Sequence, residues 1–260
     1  MAAEARAGAD RRNDMDPAEW QTRVELAAAY RLADMMGWND LLGTHITCRV
    51  PGAADQFLIN PYGMLFEEVT ASSLIKVDVD GNKLSDSPFN VSKAGFIIHS
   101  AIHMANSDAQ AVMHCHSPYG VAISAQKAGL QPIMQQVLVC LAQLRYHDYE
   151  GLSFDLAERE RLLRDLGTGT MLILRNHGTL TVGQTIPEMY YRMHLLERAC
   201  RFQFYAQSAG GEIQSLPADV VAHAIEQGRK VYSRSALGSG EIAWAALKRK
   251  LDRAGADYAA

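Results

Sequence analysis

Cysteine is scarce and scattered in this chain. The four residues, Cys48, Cys115, Cys140 and Cys200, lie far apart and include no CxxC pair. They offer no disulfide framework, which fits a protein of the reducing cytoplasm. Long hydrophobic runs are also missing. No segment approaches the roughly 20 apolar residues that a membrane span requires, and the opening stretch from Met1 to Asp14 lacks the apolar centre of a signal peptide. Nor is there an excess of positive charge. Lys and Arg number 25 against 29 Asp and Glu, for a net charge of -4. This balance leaves no electrostatic footprint for nucleic acid or an anionic membrane. Internal repeats are absent as well.

What remains is a chain of 260 residues that is 48% apolar and 21% charged, enough to bury a sizeable core in one large domain or two small ones. Asp16-Pro17 is a helix-opening pair, and Trp20, Val24, Ala28, Leu32 and Met35 follow at helical spacing until Gly37. Short strands are expected at 45–50, 56–60 and 74–79, a helix at 93–105, and a short helix at 119–126. Residues 132–144 are apolar without a clear period, 146–151 read as a loop, and 155–165 as a charged surface helix. Two further strands at 171–177 and 179–183 precede a long helix running to about residue 209. Its stripe of Met189, Met193, Leu196, Cys200 and Phe204 reads as packing. The tail carries two more helical segments, near 217–230 and 240–255. This order of elements describes a layered α/β domain. Residues 1–15 read as a disordered lead-in, 16–211 as the domain, and 212–260 as a helical C-terminal extension, a candidate intersubunit arm.

The chemistry gathers in Ala109-Gln-Ala-Val-Met-His-Cys-His-Ser117. Alternation along a strand puts His114 and His116 on one face, with Cys115 turned to the other for packing. Neutral imidazole is a common metal ligand, and catalytic zinc takes three protein ligands and an open position. The third candidate is His177, which ends a second apolar run, Met171-Leu-Ile-Leu-Arg-Asn-His-Gly. A histidine pair alone more often serves structure. Two strands that both end in histidine strengthen the metal reading.

Several segments, in this order, resemble the class II aldolase/adducin family. They are Gly37-Trp-Asn-Asp, His45-Ile-Thr-Cys-Arg, Ile59-Asn-Pro-Tyr-Gly-Met-Leu-Phe-Glu-Glu-Val-Thr, Ala94-Gly-Phe-Ile-Ile-His-Ser-Ala-Ile-His, Val112-Met-His-Cys-His-Ser, Tyr146-His-Asp-Tyr and Leu172-Ile-Leu-Arg-Asn-His-Gly. The resemblance runs from Trp38 to Glu212 and is strongest to the adducin-like branch. It implies a three-layer α/β/α domain with a mainly antiparallel central sheet. It also implies a divalent metal, zinc first with manganese or iron as alternatives, held by His114, His116 and His177. A homotetramer or homodimer acting on a small molecule would be the working form.

The departures from that family bear on mechanism. The aldolases place a catalytic glutamate where this chain, read without gaps back from His114, has Gly95. A proton-donating tyrosine, which would fall near Gln135 or Gln136, is also missing. The position of a phosphate-binding asparagine carries His45, and the matching serines fall at Lys93 and Ala94. His45, Tyr62, Gly63 and Lys93 are therefore the expected substrate-binding residues, and Lys93 and His99 the candidates for replacement chemistry. The blander alternatives stand beside these. His99, behind Ile97 and Ile98, also fits a satisfied core residue; Lys93 also fits a solvated surface; Tyr62-Gly63 also fits a plain turn; and His147 fits a loop or subunit contact. Function is expected to be that of a metal-dependent carbon–carbon lyase, an aldolase or a decarboxylase. The alternatives are a non-catalytic adducin-like assembly module or an iron-dependent oxygenase on the same scaffold.

Overall fold

Strand alternation decides which residues of this protein meet. In the computed structural model, which describes residues 15–151, 158–232 and 238–260, strands β1 (His45–Arg49), β2 (Phe57–Ile59), β3 (Ile75–Val77), β4 (Ala111–Cys115), β5 (Leu144–His147), β6 (Met171–Leu174) and β7 (Gly178–Gly183) form one sheet. Its order is β3-β2-β1-β4-β7-β6-β5. Every pairing is antiparallel except β5 with β6. Ile46, Cys48, Met113 and Cys115 point to one face and join a core with helices α1 (Pro17–Met35), α6 (Ile186–Ser208) and α8 (Glu241–Arg253). Val112, Leu172, Leu174, Leu180 and Val182 point to the other face, against α2 (Lys93–Ala105) and α5 (Glu158–Leu166). Helices therefore cover both faces of a mainly antiparallel sheet, and Cys115 packs in the core as its strand position required.

Local signals account for the helix ends. Asp16 accepts from the backbone N–H of Ala18 at 2.8 Å, Pro17 follows it, and Gly37 turns the chain out with φ +68°. Thr185 caps α6 through Glu188, and the buried stripe Met189, Met193, Leu196 and Cys200 lies where the period put it. The remaining helices are α3 (Pro118–Ser124), α4 (Gln135–Leu141) and α7 (Ala218–Tyr232).

Two expectations change. Tyr146 and His147 belong to a strand rather than a loop, and the ambiguous stretch before them divides into α4 and β5. The segment is polar because β5 is an edge strand. Its polar side chains bond the neighbouring segments: the Tyr146 hydroxyl accepts from Leu130 N–H, and the buried His147 pairs through Nδ1 with Asp165. The C-terminal extension also turns inward. Trp244 and Lys248 both bond Glu25 on α1, and the Ala71 and Ser72 amides donate to the carbonyls of Tyr258 and Ala260. Trp244 and Leu251 are core residues of this chain's own fold. The expected lead-in, the start of the charged helix before Glu158 and most of the 233–240 break lie outside the described residues. Among the described residues no helix is long and apolar enough to cross a membrane.

One buried carboxylate ties α6 to the segment after β4. Glu197 accepts hydrogen bonds from the Ser117 hydroxyl and the Gly120 amide at the start of α3. Burial outweighs those bonds and pushes its pKa up to about 7. The folded state therefore holds a proton that the unfolded chain releases near the ordinary carboxylate pKa, so stability is lost as pH rises from about 4.5 to about 7. Replacing Glu197 with Gln removes this contribution. Urea denaturation should show the stability difference between the two proteins moving in favour of Glu197→Gln by about 3 kcal/mol across that window.

Candidate functional site

Three imidazoles converge where β4 and the β6–β7 hairpin run out. His114 closes β4 on the α2 face, His116 follows it, and His177 ends the three-residue turn between β6 and β7. The turn works because Asn176 adopts φ +57°, a region asparagine tolerates better than most residues. Gly178 lets the hairpin lie close to β4, since a Cβ there would sit 2.5 Å from the Cys115 carbonyl oxygen and 3.2 Å from the His116 ring. One nitrogen from each imidazole falls within 4.8 Å of those of the other two.

Their hydrogen bonds settle which nitrogens face inward. His114 Nδ1 is 3.0 Å from the Thr179 carbonyl, which only accepts, so that nitrogen carries the hydrogen. His116 Nδ1 is 2.9 Å from the Asp40 carboxylate and is likewise the donor. Both Nε2 atoms then present lone pairs, and they face each other at 3.1 Å. Two lone pairs at that distance repel unless a proton or a metal cation lies between them. Burial, reinforced by the neighbouring imidazoles, lowers the pKa of His114 well below its ordinary value and that of His177 to about 4, so both rings are neutral ligands. The donor set thus fits a divalent ion. An outer partner on the far nitrogen is the usual support for a metal-ligating histidine.

The triad forms the floor of a cavity of about 410 Å³. Its polar lining includes His45, Tyr62, Ser92, His99, Tyr149 and Asn176; among the described residues no carboxylate side chain lines it. Of the expected substrate-binding residues, His45 and Tyr62 are on this wall. Gly63 is not, and its φ of +113° serves the turn. Lys93 starts α2, but its side chain lies outside the described residues. His99 lines the cavity from α2 and is fully buried. Gln135 and Gln136 stand away from the cavity, at the start of α4. His147 lies behind Tyr149 and bonds Asp165.

Gly95 and His45 prove to be one feature. His45 stands directly across from His114 in the β1–β4 pairing, and its ring fills the space into which any side chain at 95 would project. A Cβ on Gly95 would meet His45 Cε1 at 2.5 Å, Nδ1 at 2.7 Å and Nε2 at 2.9 Å. The side-chain space at position 95 of α2, where the resemblance implied a glutamate, is thus occupied by an imidazole from β1. Burial holds its pKa down at about 4, partly offset by the Gly95 carbonyl, and its Nε2 has no partner among the described residues. The residues missed from sequence are Asp40, Ser92, Tyr149 and Asn176. Asp40, Tyr149 and Asn176 sit inside the family-like segments, but nothing local marks a carboxylate as the support of a histidine far along the chain.

Because the ring and the glycine share one volume, substitutions at the two positions should couple. Gly95→Ala alone overpacks the site and should cost about 1–3 kcal/mol. In a His45→Ala background the same change should cost less than about 0.5 kcal/mol, read from a double-mutant cycle of denaturation midpoints.

Residues 24–204 match the family described as Class II Aldolase and Adducin N-terminal domain. The crystal structure of an aldolase II superfamily protein from Pseudomonas syringae superposes with a TM-score of 0.92 at 47% identity, covering 96% of this chain and 100% of that one. An L-fuculose 1-phosphate aldolase from Glaciozyma antarctica superposes with a TM-score of 0.77 at 27% identity, covering 92% of each chain. Alpha-adducin of Rattus norvegicus is 45% identical over 200 residues, 75% of this chain but 27% of that longer protein. The chain belongs to the class II aldolase and adducin family.

Proposed function

We propose that this protein is a divalent-metal-dependent carbon–carbon lyase acting on a small oxygenated acid or sugar derivative, by aldol cleavage or decarboxylation. The observation that carries the reading is the convergence of His114, His116 and His177, with the first two Nε2 atoms 3.1 Å apart and their Nδ1 atoms held by the Thr179 carbonyl and Asp40. Zinc is the first choice for three imidazoles with an open position, and manganese or iron suit the same ligands. When bound, the ion supplies a Lewis acid that draws charge onto a substrate oxygen as the carbon–carbon bond breaks. Three imidazole ligands leave its charge uncompensated, and among the described residues no carboxylate side chain lines the cavity, which favours an anionic substrate. His45 and His99 are the buried residues on that wall able to accept or deliver a proton. The cavity is of a size for a small molecule.

Adducin-like assembly without catalysis is the second reading, favoured by the 45% identity to alpha-adducin and by Gly95. Metal content separates the two. Elemental analysis of untagged protein should give about one divalent ion per chain, lost in His114→Ala and His177→Ala. Asp40→Ala should keep the fold but weaken metal binding about 10- to 100-fold, measured by competition with a chelating dye. Metal-free wild-type protein that stays empty on titration with zinc, manganese and iron would leave the assembly reading.

A further inference from the structure

Behind the cavity, on the α2 face of β1, runs a buried chain of hydrogen bonds whose direction is fixed at one end. His103 Nδ1 lies 2.6 Å from the Ala109 carbonyl oxygen, which can only accept. His103 therefore carries its hydrogen on Nδ1, and in the neutral ring its Nε2 is a lone pair. That nitrogen is 2.7 Å from Thr47 Oγ1, so the threonine hydroxyl donates to it. The same oxygen is 2.8 Å from His99 Nδ1; having given its hydrogen to His103, it accepts from His99. His99 is thereby held as the Nδ1–H tautomer, with a lone pair on Nε2. Both rings and Thr47 are fully buried, and burial lowers the pKa of His103 to about 3, which keeps the chain neutral and its direction unique.

The open end of the chain is the notable part. His99 Nε2 is buried and has no partner among the described residues, while His99 lines the cavity with the histidine triad. His45 packs against it with ring centroids 4.2 Å apart, yet the two share no hydrogen bond, and His45 Nε2 is unpartnered too. An unsatisfied buried acceptor is costly and calls for a ligand. We infer that His99 Nε2 accepts a hydrogen bond from a hydroxyl of the bound substrate, with Thr47 and His103 as positioning residues that hold its tautomer. The site therefore selects hydroxy acids over analogues that lack the hydroxyl. A cavity that leaves a buried polar atom unpaired rejects such analogues strongly. This inference rests on the reading of the cavity as a metal-dependent active site, but its first test does not.

That test is long-range nitrogen–proton NMR on metal-free protein with 15N-labelled histidine. The expected result is a protonated Nδ1 and a pyridine-type Nε2 on both His99 and His103; protonation of His99 at Nε2 would overturn the inference whatever the metal does. The second test uses protein loaded with cobalt in place of zinc and titrates glycolate and acetate, following the cobalt absorption bands. Wild type should prefer glycolate by at least about tenfold, beyond which the preference measures the hydroxyl contact. Thr47→Val should bind cobalt normally and lose most of that preference, and Thr47→Ser should recover it. A preference that persists unchanged in Thr47→Val would reflect chelation by the hydroxyl alone and would refute the role of His99. Failure of the protein to bind cobalt at all would instead count against the lyase reading, with the tautomer result standing by itself.

Discussion

Everything at the site depends on the register of three antiparallel strands. β1, β4 and β7 place His45 against His114 and His114 against Leu180 as direct cross-strand partners. Thr47 lies on the same face of β1, where it reaches both His99 and His103. Because side chains alternate along a strand, a slip of one residue would turn His45, Thr47 and His114 into the apolar layer and bring Ile46 and Met113 to the cavity. The apolar residues on the opposite face forbid that slip. Packing of Ile46, Cys48, Met113 and Cys115 against α1 and α6 is thus what aims the imidazoles.

Polar burial around the triad is organised by acceptors that each hold one ring nitrogen, while His45 Nε2 and His99 Nε2 are left unanswered among the described residues. Carbonyl oxygens of Ala109 and Thr179 and the carboxylate of Asp40 each fix one imidazole nitrogen as a donor. In the neutral rings of His103 and His114 the opposite nitrogen is then a lone pair. The backbone thus writes the tautomers, and the tautomers decide where a cation or a hydroxyl can be received. Glu197 belongs to the same economy of buried charge. It holds the start of α3, directly after the His114–His116 pair, with two hydrogen bonds that only partly offset its burial.

Two glycines show how closely the parts approach. Gly178 admits β7 to within contact of the Cys115 carbonyl and the His116 ring. Gly95 yields its side-chain volume to His45. In the second case a polar group is not lost from the cavity but arrives from β1, so the pocket keeps an ionisable residue near the triad even where the family's glutamate is gone. Sequence comparison at position 95 alone sees only the loss.

The sequence by itself determined the features that depend on neighbours along the chain. The α2 boundaries at Lys93 and Ala105, the cap at Asp16, the buried stripe of α6 and the shared face of His114 and His116 all follow from local period and capping. The apolar run before His177 was equally legible, as was the resemblance that named the fold. Tertiary structure alone decided the rest. It paired β5 with β6 despite its polar sequence, brought Asp40 behind His116, seated the His45 ring over Gly95, and joined Thr47 to two histidines of α2. It also folded the C-terminal helix onto α1 through Glu25. Each of these contacts joins residues far apart in the chain, where no periodicity connects them. Periodicity tells which way a side chain points; only the packed sheet says what it meets there.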